Sequence, residues 1–127
     1  DIVAVNPAFT RLTGYTPVPP DEKIHKTALG AETWVPFEAV LSIDDVFRRL
    51  KEEGIPCYAL ERTEGAMTLP ETPETECLAL LLGTETTGVP ASLLERCVGV
   101  IQIPQVGKKE SLNVSMAAAI AVWELKR

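Results

Sequence analysis

Two stretches of this chain concentrate the residue types that chemistry needs. The first, Gly83-Thr84-Glu85-Thr86-Thr87-Gly88-Val89-Pro90, follows the apolar run Leu78-Ala79-Leu80-Leu81-Leu82. The second begins Ile103-Pro104-Gln105-Val106-Gly107-Lys108-Lys109 and continues Glu110-Ser111-Leu112-Asn113-Val114-Ser115-Met116. Each is an apolar strand that ends abruptly in glycine and small polar residues, as a backbone does when it turns sharply beside a ligand. Gly83 lets a ligand approach the main chain closely, and Gly88 gives a second flexible point. Glu85, the one charged group between them, is open to two readings: an acid in a ligand pocket, or a carboxylate placed favourably near a helix N-terminus. Ser111 reads as the N-cap of a last helix. Asn113 fits helix propensity badly and offers both a donor and an acceptor to a ligand. Lys108 and Lys109 either meet phosphate or form a solvated charge pair.

Other chemistries find little support. His25 is the only histidine, and no serine or cysteine motif accompanies it, which argues against a nucleophilic triad. The segment from Gly83 to Gly88 lacks the lysine that would make it a P-loop. No metal-ligand spacing occurs. Cys57, Cys77 and Cys97 are odd in number and form no C-x-x-C pair, so they read as reduced core thiols, which suits a cytoplasmic protein.

The elements that must hold the two loops alternate between strand and helix. At 127 residues, 46% hydrophobic and 24% charged, the chain suits one domain with a core of its own. Ile2 to Val5 is a short strand, with a second, weaker one over Arg11 to Tyr15. The prolines between Thr16 and Pro20 exclude a central strand there. Glu22 to Leu29 is expected as a short helix ended by Gly30, and Thr33 to Val35 as strand-like. Ser42 caps a helix that buries Val46, Phe47 and Leu50 on one face and stops at Gly54. Ile55 to Leu60 follows as a buried strand, then a solvated loop over Glu61 to Glu76. Cys77 to Leu82 has no polar alternation, so both faces should be covered, as in a central parallel strand. Pro90 opens a helix over Ala91 to Arg96, Val98 to Ile103 is the next strand, and a final helix places Leu112, Met116, Ile120 and Trp123 on one face. The class is therefore α/β, with a mostly parallel sheet flanked by helices. In such sheets ligands bind beyond the carboxyl ends of the strands, where both loops lie.

Net charge is −6, so a nucleic acid would need local basic patches such as Arg48-Arg49-Lys51 or Lys108-Lys109, or a second subunit. No apolar run reaches membrane-spanning length.

Taken together, Leu82-Gly83-Thr84-Glu85-Thr86-Thr87-Gly88-Val89-Pro90 resembles the second motif of the SpoU (TrmH-like) RNA methyltransferases of the SPOUT superfamily. The run from Ile103-Pro104 through Gly107 to Glu110-Ser111-Leu112-Asn113-Val114-Ser115-Met116-Ala117 resembles their third motif. Leu12-Thr13-Gly14-Tyr15-Thr16-Pro17-Val18-Pro19-Pro20 and Lys23-Ile24-His25-Lys26-Thr27-Ala28-Leu29-Gly30-Ala31-Glu32 are similar to a stretch of one branch of that family, so the likeness covers most of the chain. It implies transfer of a methyl group from S-adenosylmethionine to a ribose 2′-hydroxyl of tRNA or rRNA. It also implies a homodimer, packed through the last helix, whose C-terminal chain is threaded into a trefoil knot, which general topology rules would not suggest. By position, backbone around Leu60, Gly83, Ile103 and Leu112 would contact the cofactor, and Glu85, Ser111 and Asn113 would shape the catalytic pocket.

The family's first motif is an asparagine, a glycine and a helical arginine that activates the ribose hydroxyl. Here Asn6-Pro7-Ala8-Phe9-Thr10-Arg11 matches it only in part, and the local pattern places Arg11 in the strand that leads to Gly14. Residues 1–127 thus read as a SpoU-type methyltransferase domain without its first motif. Either that segment precedes Asp1 or the protein has lost it, and the absence of an initiator methionine favours the first. A catalytically inactive RNA-binding module with the same fold is the rival reading. A different α/β enzyme that takes a nucleotide at the Gly83 loop is a second.

Overall fold

The computed structural model describes residues 2–5, 29, 40, 42–71, 76–84, 86–106 and 111–126. The expected strands at Arg11 to Tyr15 and Thr33 to Val35, the helix at Glu22 to Leu29 apart from its last residue, and Glu85, Lys108 and Lys109 lie outside these residues.

Among the described residues five strands form one sheet: β1 (Ile2–Val5), β2 (Cys57–Leu60), β3 (Met67–Thr68), β4 (Leu78–Leu82) and β5 (Gly99–Gln102), in the spatial order β1-β4-β2-β5-β3. All four pairings are parallel. Every residue of β4 is buried, as its unbroken apolar run requires of a strand paired on both edges and covered on both faces. The described sheet is thus all parallel, within the α/β class the alternation implied.

The period-2 alternation of side chains sorts the core into two layers. On one face Cys57, Ala59, Ala79 and Leu81 pack with Leu50 and Val89. Helix α1 (Ile43–Glu52) and the short helix α2 (Ala91–Leu94) cover this face, with Val46, Phe47, Leu93 and Leu94 against it. On the other face Tyr58, Leu78, Leu80 and Ile101 pack with Leu69 and Ala121. Helix α3 (Val114–Lys126) and a single 3-10 turn at Leu69–Glu71 lie there.

Helix α1 starts where its sequence says it should, with the Ser42 hydroxyl accepting from the Asp44 N–H at 3.2 Å. Asp45, three residues after the cap, pairs with Arg48 at 3.3 Å, and Arg48 also meets Glu52 at 3.1 Å. These two hydrogen-bonded carboxylates hold the Arg48 guanidinium above its usual pKa, Glu52 contributing most. The Arg48-Arg49-Lys51 patch is therefore partly neutralised on its own helix. Arg96 ties α2 to α1 through Asp44 and lies 4.2 Å over the Phe47 ring.

Three expectations need correction. The segment after β2 is not simply solvated loop, because it contains edge strand β3 and the turn that buries Leu69. Its acids and prolines mask a strand of only two residues. Helix α2 begins at Ala91 with Pro90 as its N-cap, as expected, but ends at Leu94 rather than Arg96. Asn113, not Ser111, caps α3: its Oδ1 accepts from the Ser115 N–H at 2.9 Å, and its carbonyl accepts from the Ala117 N–H. The helix begins three residues after Ser111, so the asparagine occupies the position where a short polar side chain stabilises a helix best.

Candidate functional site

Parallel register brings three strand ends together. Leu60, the last residue of β2, is level with Leu82 at the end of β4 and with Ile101 near the end of β5. The chain leaves all three strands on the same side, and a cavity of about 170 Å³ opens there. Among its walls are Leu60, Gly83, Ile103 and Leu112, the four positions that the family resemblance implied for the cofactor, although they come from four separate segments. Ser111 also lines it, and Asn113 does not, although its neighbours Leu112 and Val114 do.

The loop after β4 owes its shape to its glycines. Thr84 and Gly88 exchange two backbone hydrogen bonds, of 3.3 and 3.0 Å, and so pinch the loop shut. The Thr84 hydroxyl accepts from the Thr87 N–H at 3.0 Å and lies 2.7 Å from the Thr87 hydroxyl. The pinch presses Gly83 against the returning chain: a Cβ on Gly83 would lie 2.3 Å from the Gly88 carbonyl carbon and 2.6 Å from the Val89 nitrogen. Only glycine fits. Gly88 itself has φ +63°, and a Cβ there would meet a Glu61 carboxylate oxygen at 2.3 Å.

Polar groups enter the cavity from Glu61, Arg62, Gln102 and Gln105, none of which the sequence pattern singled out. Their signal was positional, since each lies within a few residues of a strand's carboxyl end. The Gln102 amide donates to the Ala66 carbonyl at 3.1 Å and fixes the loop leading into β3. Apolar walls with a few polar groups and exposed backbone suit a ligand with a flat ring and a polar periphery, such as a nucleoside.

The cysteines lie apart from this cavity and are not disulfide-bonded. Cys57 is buried beside Cys97, and their hydrogen bond, with burial second, pushes the Cys57 thiol far above its usual pKa. Cys97 is lowered by the same hydrogen bond, against its own burial and with help from Arg96. No group of three metal-ligating side chains occurs among the described residues. No helix among them is long and apolar enough to cross a membrane.

A parallel α/β sheet with a ligand-sized opening at its strand ends defines a broad class of nucleotide-binding and cofactor-binding proteins. Within that class, the SpoU rRNA methylase family model matches residues 8–123, and the chain belongs to that family. It is 36% identical over 124 residues to a tRNA (guanosine(18)-2′-O)-methyltransferase of Thermus thermophilus, an alignment covering 98% of this chain and 59% of that enzyme. The chain thus spans about three-fifths of that relative's length. A crystal structure of an RNA 2′-O ribose methyltransferase superposes with a TM-score of 0.75 at 27% identity, over 83% of this chain and 40% of that one. An AdoMet-bound rRNA methyltransferase from Sinorhizobium meliloti has the same fold, with a TM-score of 0.79 at 22% identity, over 99% and 44% of the two chains.

Proposed function

We propose that this chain carries the methyltransferase domain of an S-adenosylmethionine-dependent enzyme that methylates ribose 2′-hydroxyls in tRNA or rRNA. The observation that carries the reading is the convergence of Leu60, Gly83, Ile103 and Leu112 on one cavity at the ends of β2, β4 and β5. The names of its relatives point the same way, since the Thermus enzyme is a tRNA 2′-O-methyltransferase and a relative in Nitrosomonas europaea, 38% identical over 104 residues, is a 23S rRNA (guanosine-2′-O-)-methyltransferase.

When bound, S-adenosylmethionine supplies an electrophilic methyl group. The chain's task is to hold it and to bring a ribose hydroxyl into line. Leu60, Ile103 and Leu112 would pack the adenine ring, and the Gly83 main chain would approach it without a side chain in the way. Glu85, Ser111 and Asn113 would shape the side of the pocket that receives the RNA. A ribose hydroxyl is a poor nucleophile at neutral pH, so it must be oriented and relieved of its proton. The family's motif-one arginine would assist there, and Arg11 is this chain's partial match to it.

The working form is a homodimer with a knotted C-terminal chain, active in the cytoplasm. Support for the dimer comes from α3. Met116 is 59% exposed and Trp123 74%, with Ile120 exposed between them, so three large apolar side chains at helical spacing face outward together. Addition of a second copy through this helix would cover them.

Transfer of a labelled methyl group from S-adenosylmethionine to RNA, followed by nucleoside mass spectrometry, tests the activity. A 2′-O-methyl nucleoside is the expected product, and a methyl on a base instead would overturn the reading. Binding of S-adenosylmethionine with no transfer to any RNA would favour the inactive RNA-binding module. Mapping of 2′-O-methyl sites in RNA from cells with and without the gene identifies the substrate.

A further inference from the structure

Glu61 stands beside Leu60 where β2 ends. Its own N–H donates to the Ile101 carbonyl at 3.0 Å and so extends the β2–β5 pairing by one residue. Both oxygens of its half-buried carboxylate accept from main chain: Oε2 from the Val89 N–H at 2.8 Å, and Oε1 from the Arg62 N–H at 2.9 Å. One side chain therefore joins the end of β2 to the far side of the loop that follows β4. Charge-assisted bonds of this kind are about twice as strong as neutral ones.

The glycines of that loop are shaped around this carboxylate. The missing Cβ at Gly88 is what admits Oε2, which would otherwise lie 2.3 Å away. The missing Cβ at Gly83 is what lets the cavity wall rest against Gly88 and Val89. Carboxylate, Gly88, Val89 and Gly83 thus form an unbroken series of contacts that ends at the cavity. The Thr84–Gly88 bridge closes the loop on itself but does not fix where the loop sits relative to β2. The bond from the Val89 N–H to Glu61 reaches outside the loop and does so.

We propose that Glu61 is a positioning residue for the cofactor: its carboxylate holds Val89, and through it the Gly83 wall, at the distance from Leu60 that the bound nucleoside needs. This rests on the reading of the cavity as the S-adenosylmethionine site. Acting through Val89 and Gly83, Glu61 should affect binding far more than turnover.

The test uses the full-length protein, with calorimetric binding of S-adenosylmethionine, methyl-transfer kinetics, and amide hydrogen exchange at Val89 measured without ligand. In Glu61→Ala the dissociation constant should rise about tenfold or more, the loss expected for a hydrogen bond to a charged group. Turnover at saturating cofactor should change less than about threefold. Glu61→Gln keeps a carbonyl that can accept from Val89, and should recover most of the affinity and slow Val89 exchange. Gly88→Ala displaces the same carboxylate from the other side and should reproduce the weaker binding; it serves if Glu61→Ala does not fold. Unchanged Val89 exchange in Glu61→Ala would overturn the tether. Faster exchange with unchanged affinity would overturn its role in the site. If the wild-type protein does not bind S-adenosylmethionine, the cofactor reading falls, and Val89 exchange then decides the tether by itself.

Discussion

The two faces of the sheet are finished in different ways. On the face under α1 and α2, the bulky apolar side chains of the helices point inward: Leu50 is buried and Val46, Phe47, Leu93 and Leu94 pack around Ala79 and Leu81. On the face under α3, the helix contributes small Ala121 as its fully buried residue, with Leu125 partly buried, and turns Met116, Ile120 and Trp123 to solvent. Among the described residues nothing covers these three side chains, which is the observation behind the proposed dimer. The first face is closed by its own helices, while the second leaves large apolar side chains uncovered, the surface through which the proposed dimer would form.

That contrast can be broken at graded cost. Leu81→Ala, in the fully packed face, should lose about 2–5 kcal/mol of stability, on the order seen for buried leucine truncations, in denaturant titrations with unchanged m-value. Ala121→Leu probes the other face where α3 meets the sheet with no room to spare, and overpacking there should cost about 1–3 kcal/mol. Ser42→Ala and Asn113→Ala remove the caps of α1 and α3 and should each cost about 1 kcal/mol. The second should also abolish methylation while leaving the dimer intact, and wild-type activity in Asn113→Ala would remove that residue from the site. Trp123→Glu should change folding stability least, within about 0.5 kcal/mol at concentrations where the protein is monomeric. The same change should prevent association in sedimentation experiments. A dimer that persists in Trp123→Glu would mean that the outward face of α3 is not the interface.

The sequence was most legible where local pattern and global position agreed. The unbroken run Leu78–Leu82 could only be a central strand, and it is. The glycine-ended loop after Leu82 was placed at a strand end by its pattern, and Gly83 lies there, whereas Leu60, Ile103 and Leu112, which line the same cavity, came to notice only through the family resemblance. Legibility failed where a decision needed the third dimension. Helical spacing grouped Leu112, Met116, Ile120 and Trp123 on one face, but periodicity says which residues share a face and not whether the sheet lies beneath it. Strand β3 was hidden because two residues carry no period, and it forms only because β5 offers a free edge. Glu61 was invisible because its value lies in a contact with Val89, 28 residues away, that depends on the missing side chain of Gly88.

The pairing order of the sheet has a consequence for how the chain is made. Strand β2 lies at the centre, yet both its neighbours, β4 and β5, come later in the sequence, and β1 waits for the same β4. Even the closest pairing in sequence, Cys57 with Ala79, spans about 20 residues, and Ile2 must find Leu78. Parallel pairings over such separations are slow to form, because loop closure is completed before any contact rewards it. During synthesis β1 and β2 therefore emerge before β4, the strand both pair with in the described sheet, and those pairings wait until the segment ending at Leu82 has left the ribosome. The cavity at the strand ends is then among the last features to form, completed when β5 and the loop beyond it arrive.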